Sequence, residues 1–175
     1  MMTSMSHSEC SAREEAGVAL LEETIARTGR IRLRVFGSSM LPAIWPGDLI
    51  VADRRPLDQL RAGDVVVIKR GERVFVHRVI AVPGRGQELF TRGDCLPYPD
   101  PATAAGQILG TVVRIRRGGQ EWTPSRRLSF HERLLARLLS AGGWTSSLAH
   151  RLHGRWRQAC TFAVNGKSSI LVSET

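Results

Sequence analysis

Cysteine is scarce in this chain of 175 residues, and the three present, Cys10, Cys95 and Cys160, lie far apart. They cannot all pair and they form no Cys-x-x-Cys, which excludes both a disulfide scaffold and a zinc knuckle. Reduced thiols are the expectation. Long apolar runs are missing as well. Runs such as Leu49 to Ala52 and Val65 to Ile68 stop at four residues, whereas a membrane-crossing helix needs about 20. The N-terminus is polar up to Ser11 and then acidic, with no basic start followed by an apolar stretch, so no secretory signal is read and a cytoplasmic location is expected. Acidic residues are also in the minority, 16 against 25 Lys and Arg, for a formal charge of +9. The balance is −3 over residues 1–29, +6 over 30–124 and +6 over 125–160.

What is present suffices for one sizeable core, with 42% of residues hydrophobic. From Ser11 to Thr28, Ala16, Leu20, Leu21 and Ile25 recur between Glu14, Glu15, Glu22 and Glu23, a helical spacing with Gly29 as its stop. About 20 residues cannot supply the two or three helices of a helix-turn-helix DNA reader. Ile31, Leu33 and Val35 then alternate with Arg30, Arg32 and Arg34, which predicts a strand ending near Phe36. Further strands are predicted at 49–53, 64–69, 73–82, 88–92, 108–116 and 120–122, all short, rich in Val and Ile, and broken by Gly, Pro or Asp. Arg70-Gly71-Glu72 and Gly118-Gly119 read as hairpin turns, and Gly84-Arg85-Gly86 as a hairpin tip. The expected fold is mostly β, a small coiled barrel or sheet.

Beyond Pro124 the period changes to 3.6. Leu128, Leu134, Leu135, Leu138 and Leu139, then Trp144, Leu148, Leu152 and Trp156, predict two basic amphipathic helices split at Ala141-Gly142-Gly143. The expected organisation is thus a polar segment and helix over 1–29, a β domain over 30–124, basic helices over 125–162 and a tail over 163–175. The helices suit peripheral contact with anionic lipid at the inner membrane face, or else cover the β core with their leucines. No recognition motif supports nucleic acid. His131, His150 and His153 have no carboxylate or thiol partner at ligand spacing, so no metal is expected there.

The segment from Gly37 to Asp48, Gly-Ser-Ser-Met-Leu-Pro-Ala-Ile-Trp-Pro-Gly-Asp, is a strand running into a tight turn that exposes serine and then into a Pro-Gly-Asp turn. Serine at a turn is ordinarily a turn former, and becomes a nucleophile only with a base beside it. This segment resembles the nucleophile box of the S24/S26 serine peptidase superfamily, which embraces signal peptidase I and LexA-like self-cleaving repressors. The matching residues are Ser39, Met40, Pro42, Gly47 and Asp48, followed in order by Gly63 to Val67, His77 to Ile80 with Pro83 and Gly84, Arg92-Gly93-Asp94, and Ile108-Leu109-Gly110. The resemblance covers about residues 31–118.

It implies a signal peptidase-like fold and a serine endopeptidase that cleaves an extended leader or precursor peptide, with Ser39 as nucleophile. Where bacterial signal peptidases carry a lysine base this chain has His77, as endoplasmic-reticulum and archaeal types do. A lysine, ordinarily near about 10.4, must be desolvated to act as a base at neutral pH, whereas a histidine, ordinarily near about 6.5, need not be. Lys69 is the rival base. The resemblance further implies Asp94 as the carboxylate that orients His77, with Asp100 as the second choice. Gly37 stands where many bacterial enzymes carry an oxyanion-binding serine, leaving the backbone amide of Ser39 with help from Ser38. Met40 is expected to line the specificity pocket or to pack beneath Ser39, and Asp48 to be a turn residue. No cofactor is implied. Cys95 as a partner of His77, a self-cleaving repressor cut at Ala16-Gly17, and an inactive peptide-binding module are the alternatives.

Overall fold

The computed structural model describes residues 7–83 and 88–141, with side chains from Glu15 to Ser140. A leading helix, α1 (His7–Thr28), ends as expected at Gly29, whose φ of 71° places it in the left-handed region and whose amide returns to the Ile25 carbonyl at 3.0 Å. Its buried stripe is Val18 and Ile25 with Leu21 half-buried, so the helix is rotated relative to the expected stripe, and Ala16 and Leu20 face outward.

Among the described residues eight antiparallel strands follow: β1 (Arg30–Arg34), β2 (Leu49–Asp53), β3 (Val65–Arg70), β4 (Arg73–Ala81), β5 (Glu88–Arg92), β6 (Thr103–Ala104), β7 (Ile108–Arg117) and β8 (Gln120–Trp122). They pair in the order β1-β2-β7-β3-β4-β5-β6, with β8 on β7. The sheet coils but does not close into a barrel. Closure needs two end strands that can pair, and β6, at two residues, offers almost no ladder. β6 itself escapes sequence detection for the same reason. Register shifts at Val51/Ala52, Val67/Ile68 and Val79/Ala81 bend the strands.

The apolar run in β3 has a simple cause: both of its faces are covered. Val65 and Val67 join α1, Met40, Ile44, Ile50 and Ile115 in the larger core, while Val66 and Ile68 join Leu60, Val79 and Leu89 in a smaller one on the opposite face. His77 lies on β4 directly opposite Val66 and therefore belongs to the smaller core's side.

Two Gly-Asp turns share one construction. Gly47 and Gly63 take φ of 96° and 97°, and each following aspartate accepts the amide three residues back, Trp45 to Asp48 at 2.8 Å and Arg61 to Asp64 at 2.9 Å. Each also binds an arginine from later in the chain, Arg117 on Asp48 and Arg126 on Asp64. The bond to Asp48 raises the pKa of Arg117, whose guanidinium also lies against Trp45 and Trp122. Asp48 is thus engaged in a turn, as expected.

After β8 comes α2 (Phe130–Ala141), at the place of the first of the two expected C-terminal helices. Ala136 is buried, but Phe130, Leu134, Leu135 and Leu138 are exposed, so these leucines do not cover the β core. No helix among the described residues is long and apolar enough to cross a membrane. The expected second basic helix, the expected Gly84–Gly86 hairpin tip, Cys160, His150 and His153 lie outside the described residues.

Candidate active site

The turn bearing Ser39 begins where β1 gives out. Val35 still pairs with Asp48 and with Gly47 across the returning chain, after which Leu41 bonds back to Ser38 and Ile44 to Met40, winding the backbone into a helical turn. Burial of Met40 (1% exposed) and Ile44 in the larger core drives that winding, so Met40 packs beneath the serine and does not line a pocket. Ser39 itself is half-buried, and the amides of Ser39 and Met40 donate to no acceptor among the described residues. The hydroxyl of Ser38 makes no hydrogen bond among them either, while its carbonyl accepts from Leu41 and Cys95.

Two sequence-distant segments meet this turn. The first is 93–95. The Cys95 amide and thiol both point at the Ser39 carbonyl, at 3.1 and 3.3 Å, and the thiol also reaches the Ser38 carbonyl at 3.1 Å. Gly93 permits the approach, since a Cβ there would stand 2.6 Å from the Ser39 carbonyl oxygen. The second is β4, which brings His77, 4% exposed, so that Nε2 lies 3.0 Å from Ser39 Oγ. On the far side of the ring, Nδ1 lies 2.6 Å from Asp100 Oδ2. A carboxylate can only accept, so the ring proton sits on Nδ1 and the Nε2 lone pair faces the serine hydroxyl.

Asp100 is held in turn. Its amide donates to the Thr91 carbonyl at 2.8 Å, the Thr91 hydroxyl donates to Oδ2 at 2.6 Å, and Arg70 stands 3.6 Å from Oδ1. Asp94, the first choice from sequence, does not touch His77. It faces the other side of β4, where Arg78 takes both its oxygens at 2.7 and 2.8 Å and also donates to the Gly63 and Ser125 carbonyls. The reason is the strand period: neighbours on β4 point to opposite faces, so the carboxylate paired with Arg78 cannot also serve His77.

Lys69, the rival base, donates to Glu22 of α1 at 2.6 Å. Cys95 is fully buried, and burial raises its thiol pKa, which suits a structural thiol rather than a nucleophile. Ala16 and Gly17 sit within helix α1, not in the extended form a protease binds. Among the described residues no group of three or more His, Cys, Asp or Glu is placed to hold a metal ion. Arg70, Thr91 and Gly93 are contributors to which sequence reasoning assigned no part. The only signal for any of them is that Gly93 lies inside the Arg92-Gly93-Asp94 match.

The arrangement can transfer a proton from a serine hydroxyl to an oriented imidazole, the chemistry of an activated nucleophile. A search of curated proteins gives no match. The profile of the family described as Peptidase S24-like matches residues 4–113, well over half of the chain and inclusive of Ser39, His77, Asp94 and Asp100, and on that match the chain belongs to the Peptidase S24-like family.

Proposed function

We propose that this protein is a serine endopeptidase that cleaves an extended leader or precursor peptide. Ser39 is its nucleophile, His77 its general base and Asp100 the group that fixes the imidazole. The observation that carries the reading is the unbroken relay from Asp100 Oδ2 through His77 to Ser39 Oγ, at 2.6 and 3.0 Å. Ser39 Oγ attacks the scissile carbonyl carbon while Nε2 takes its proton. The resulting oxyanion accepts from the Ser39 amide, and collapse returns the proton from Nε2 to the departing amine. Water, deprotonated by the same nitrogen, then releases the acyl group from Ser39.

The Ser39–His77 dyad resembles the signal peptidases that use histidine, and small residues beside the scissile bond are what that likeness implies. β1 is an end strand of the sheet and runs directly into the Ser39 turn, an open edge where an extended peptide can add as a further strand. The exposed apolar side of α2, with Arg133 and Arg137 on the same helix, supports peripheral contact with anionic lipid.

The test is incubation of the full chain with small precursor proteins encoded nearby, read by mass spectrometry, beside Ser39→Ala and His77→Ala. Cleavage by the wild type that both variants lose is the expected result. Binding of the same precursors without cleavage would replace this reading with that of a peptide-holding module.

A further inference from the structure

We propose that Arg70 is a positioning residue for the Asp100–His77–Ser39 relay, an inference that rests on the reading above. The segment that delivers Asp100 is Pro97-Tyr98-Pro99-Asp100-Pro101. Its three prolines have no N–H to donate, so the backbone can anchor this loop only sparingly. The Asp100 amide on the Thr91 carbonyl, at 2.8 Å, is the one backbone bond it donates in the Pro97–Pro101 stretch. Side chains must supply the remaining hold.

Arg70 does so from the last position of β3. Its Nη2 donates to the Pro101 carbonyl at 3.0 Å and to the Thr103 hydroxyl at 2.9 Å, while Nη1 faces Asp100 Oδ1 at 3.6 Å. The residue ends a strand at a hairpin, yet its side chain is only 24% exposed. The groups around the Asp100 carboxylate divide cleanly: His77 and Thr91 share Oδ2, and Arg70 faces Oδ1. One planar fork therefore fixes the loop just after Asp100, at Pro101 and Thr103, and sets a cation against the oxygen that His77 does not use. A lysine has one ammonium on a flexible stem and cannot span the three acceptors together. Arg70 makes no bond to the 38–44 turn, so its action on Ser39 passes through Asp100 and His77.

An alkyl fluorophosphonate tests this without a known substrate. Ser39 Oγ forms the O–P bond, fluoride leaves, and the hydroxyl proton passes to His77 Nε2, so the labelling rate reports activation of the serine. Arg70→Met keeps the stem and removes the fork. The expected result is a maximal labelling rate about 10- to 100-fold lower with the half-saturating probe concentration unchanged, as a displacement near 1 Å would produce. Arg70→Lys falls between wild type and Arg70→Met. In parallel, the Nδ1–H proton of His77, shifted far downfield by Asp100 in the wild type, moves upfield or broadens away in Arg70→Met.

Equal maximal rates in wild type and Arg70→Met overturn the proposal, as does an effect confined to half-saturation. Should Arg70→Met fail to fold, a wild-type rate in Arg70→Lys overturns it equally. Labelling that persists in Ser39→Ala, or that never occurs in the wild type, counts against the peptidase reading instead. The Arg70 role is then decided by the proton resonance, and an unchanged signal in the variant refutes it.

Discussion

Arg78 grips Asp94 through both carboxylate oxygens, at 2.7 and 2.8 Å, one residue along β4 from the histidine that holds Ser39. Asp94, the first choice from sequence to orient His77, thus pairs with Arg78, and Asp100, the second choice, faces the imidazole; substitutions separate the two. Asp100→Asn presents an amide to Nδ1 and favours the wrong tautomer, so turnover falls by about 10⁴ while the melting temperature stays close to wild type. Asp94→Asn leaves a guanidinium that is 9% exposed facing a neutral amide. Breaking a buried pair from one side costs about 3–5 kcal/mol, or a melting temperature lower by about 6–20 °C. Thermal denaturation beside a cleavage assay checks both; a stable but inactive Asp94→Asn with an active Asp100→Asn would exchange the two roles.

Lys69→Ala retains activity, because its ammonium is committed to Glu22 on α1. With both side chains about one-third exposed, the lost pair costs under about 1 kcal/mol. His77→Ala abolishes cleavage. The opposite pattern in one set of assays would make Lys69 the base.

Gly93→Ala and Gly37→Ala differ sharply although both glycines flank the serine. A Cβ at Gly93 meets the Ser39 carbonyl oxygen at 2.6 Å and the Leu96 side chain at 2.9 Å, whereas one at Gly37 meets nothing within 4 Å. The first substitution displaces the nucleophile turn, destabilises by about 1–3 kcal/mol and lowers activity. The second stays within about 0.5 kcal/mol. Chemical denaturation and probe labelling of the two variants give the comparison; equal behaviour would mean the 93–95 segment does not hold the turn.

Cys95 resists alkylation in the native protein. Burial raises its thiol pKa, which lowers the thiolate fraction at any given pH, and the sulfur is closed off from reagent. Iodoacetamide at mildly alkaline pH, followed by peptide mapping, should modify Cys95 only after denaturation. Rapid native labelling at that peptide would show the thiol is open to solvent.

The exposed side of α2 predicts co-flotation with vesicles rich in anionic phospholipid and none with neutral ones. Leu134→Glu with Leu138→Glu, both at exposed positions, removes binding and leaves serine labelling intact. Failure to float at low salt ends the membrane proposal.

Local chemistry made much of this protein legible from its residues. Alternation at Ile31, Leu33 and Val35, β-branched runs such as Val65 to Ile68, and glycines at turn positions placed seven of eight strands, because each signal is confined to a few neighbours. The juxtaposition of Ser39 and His77 was inferred only through a resemblance, since 38 residues separate them and no periodicity spans that gap. Which carboxylate faces the imidazole, which face α1 buries, and whether the sheet closes were decided by tertiary structure. Each depends on register and on strand faces: a shift of one residue turns a side chain to the opposite side, so Arg78 takes Asp94 and leaves Asp100 to His77.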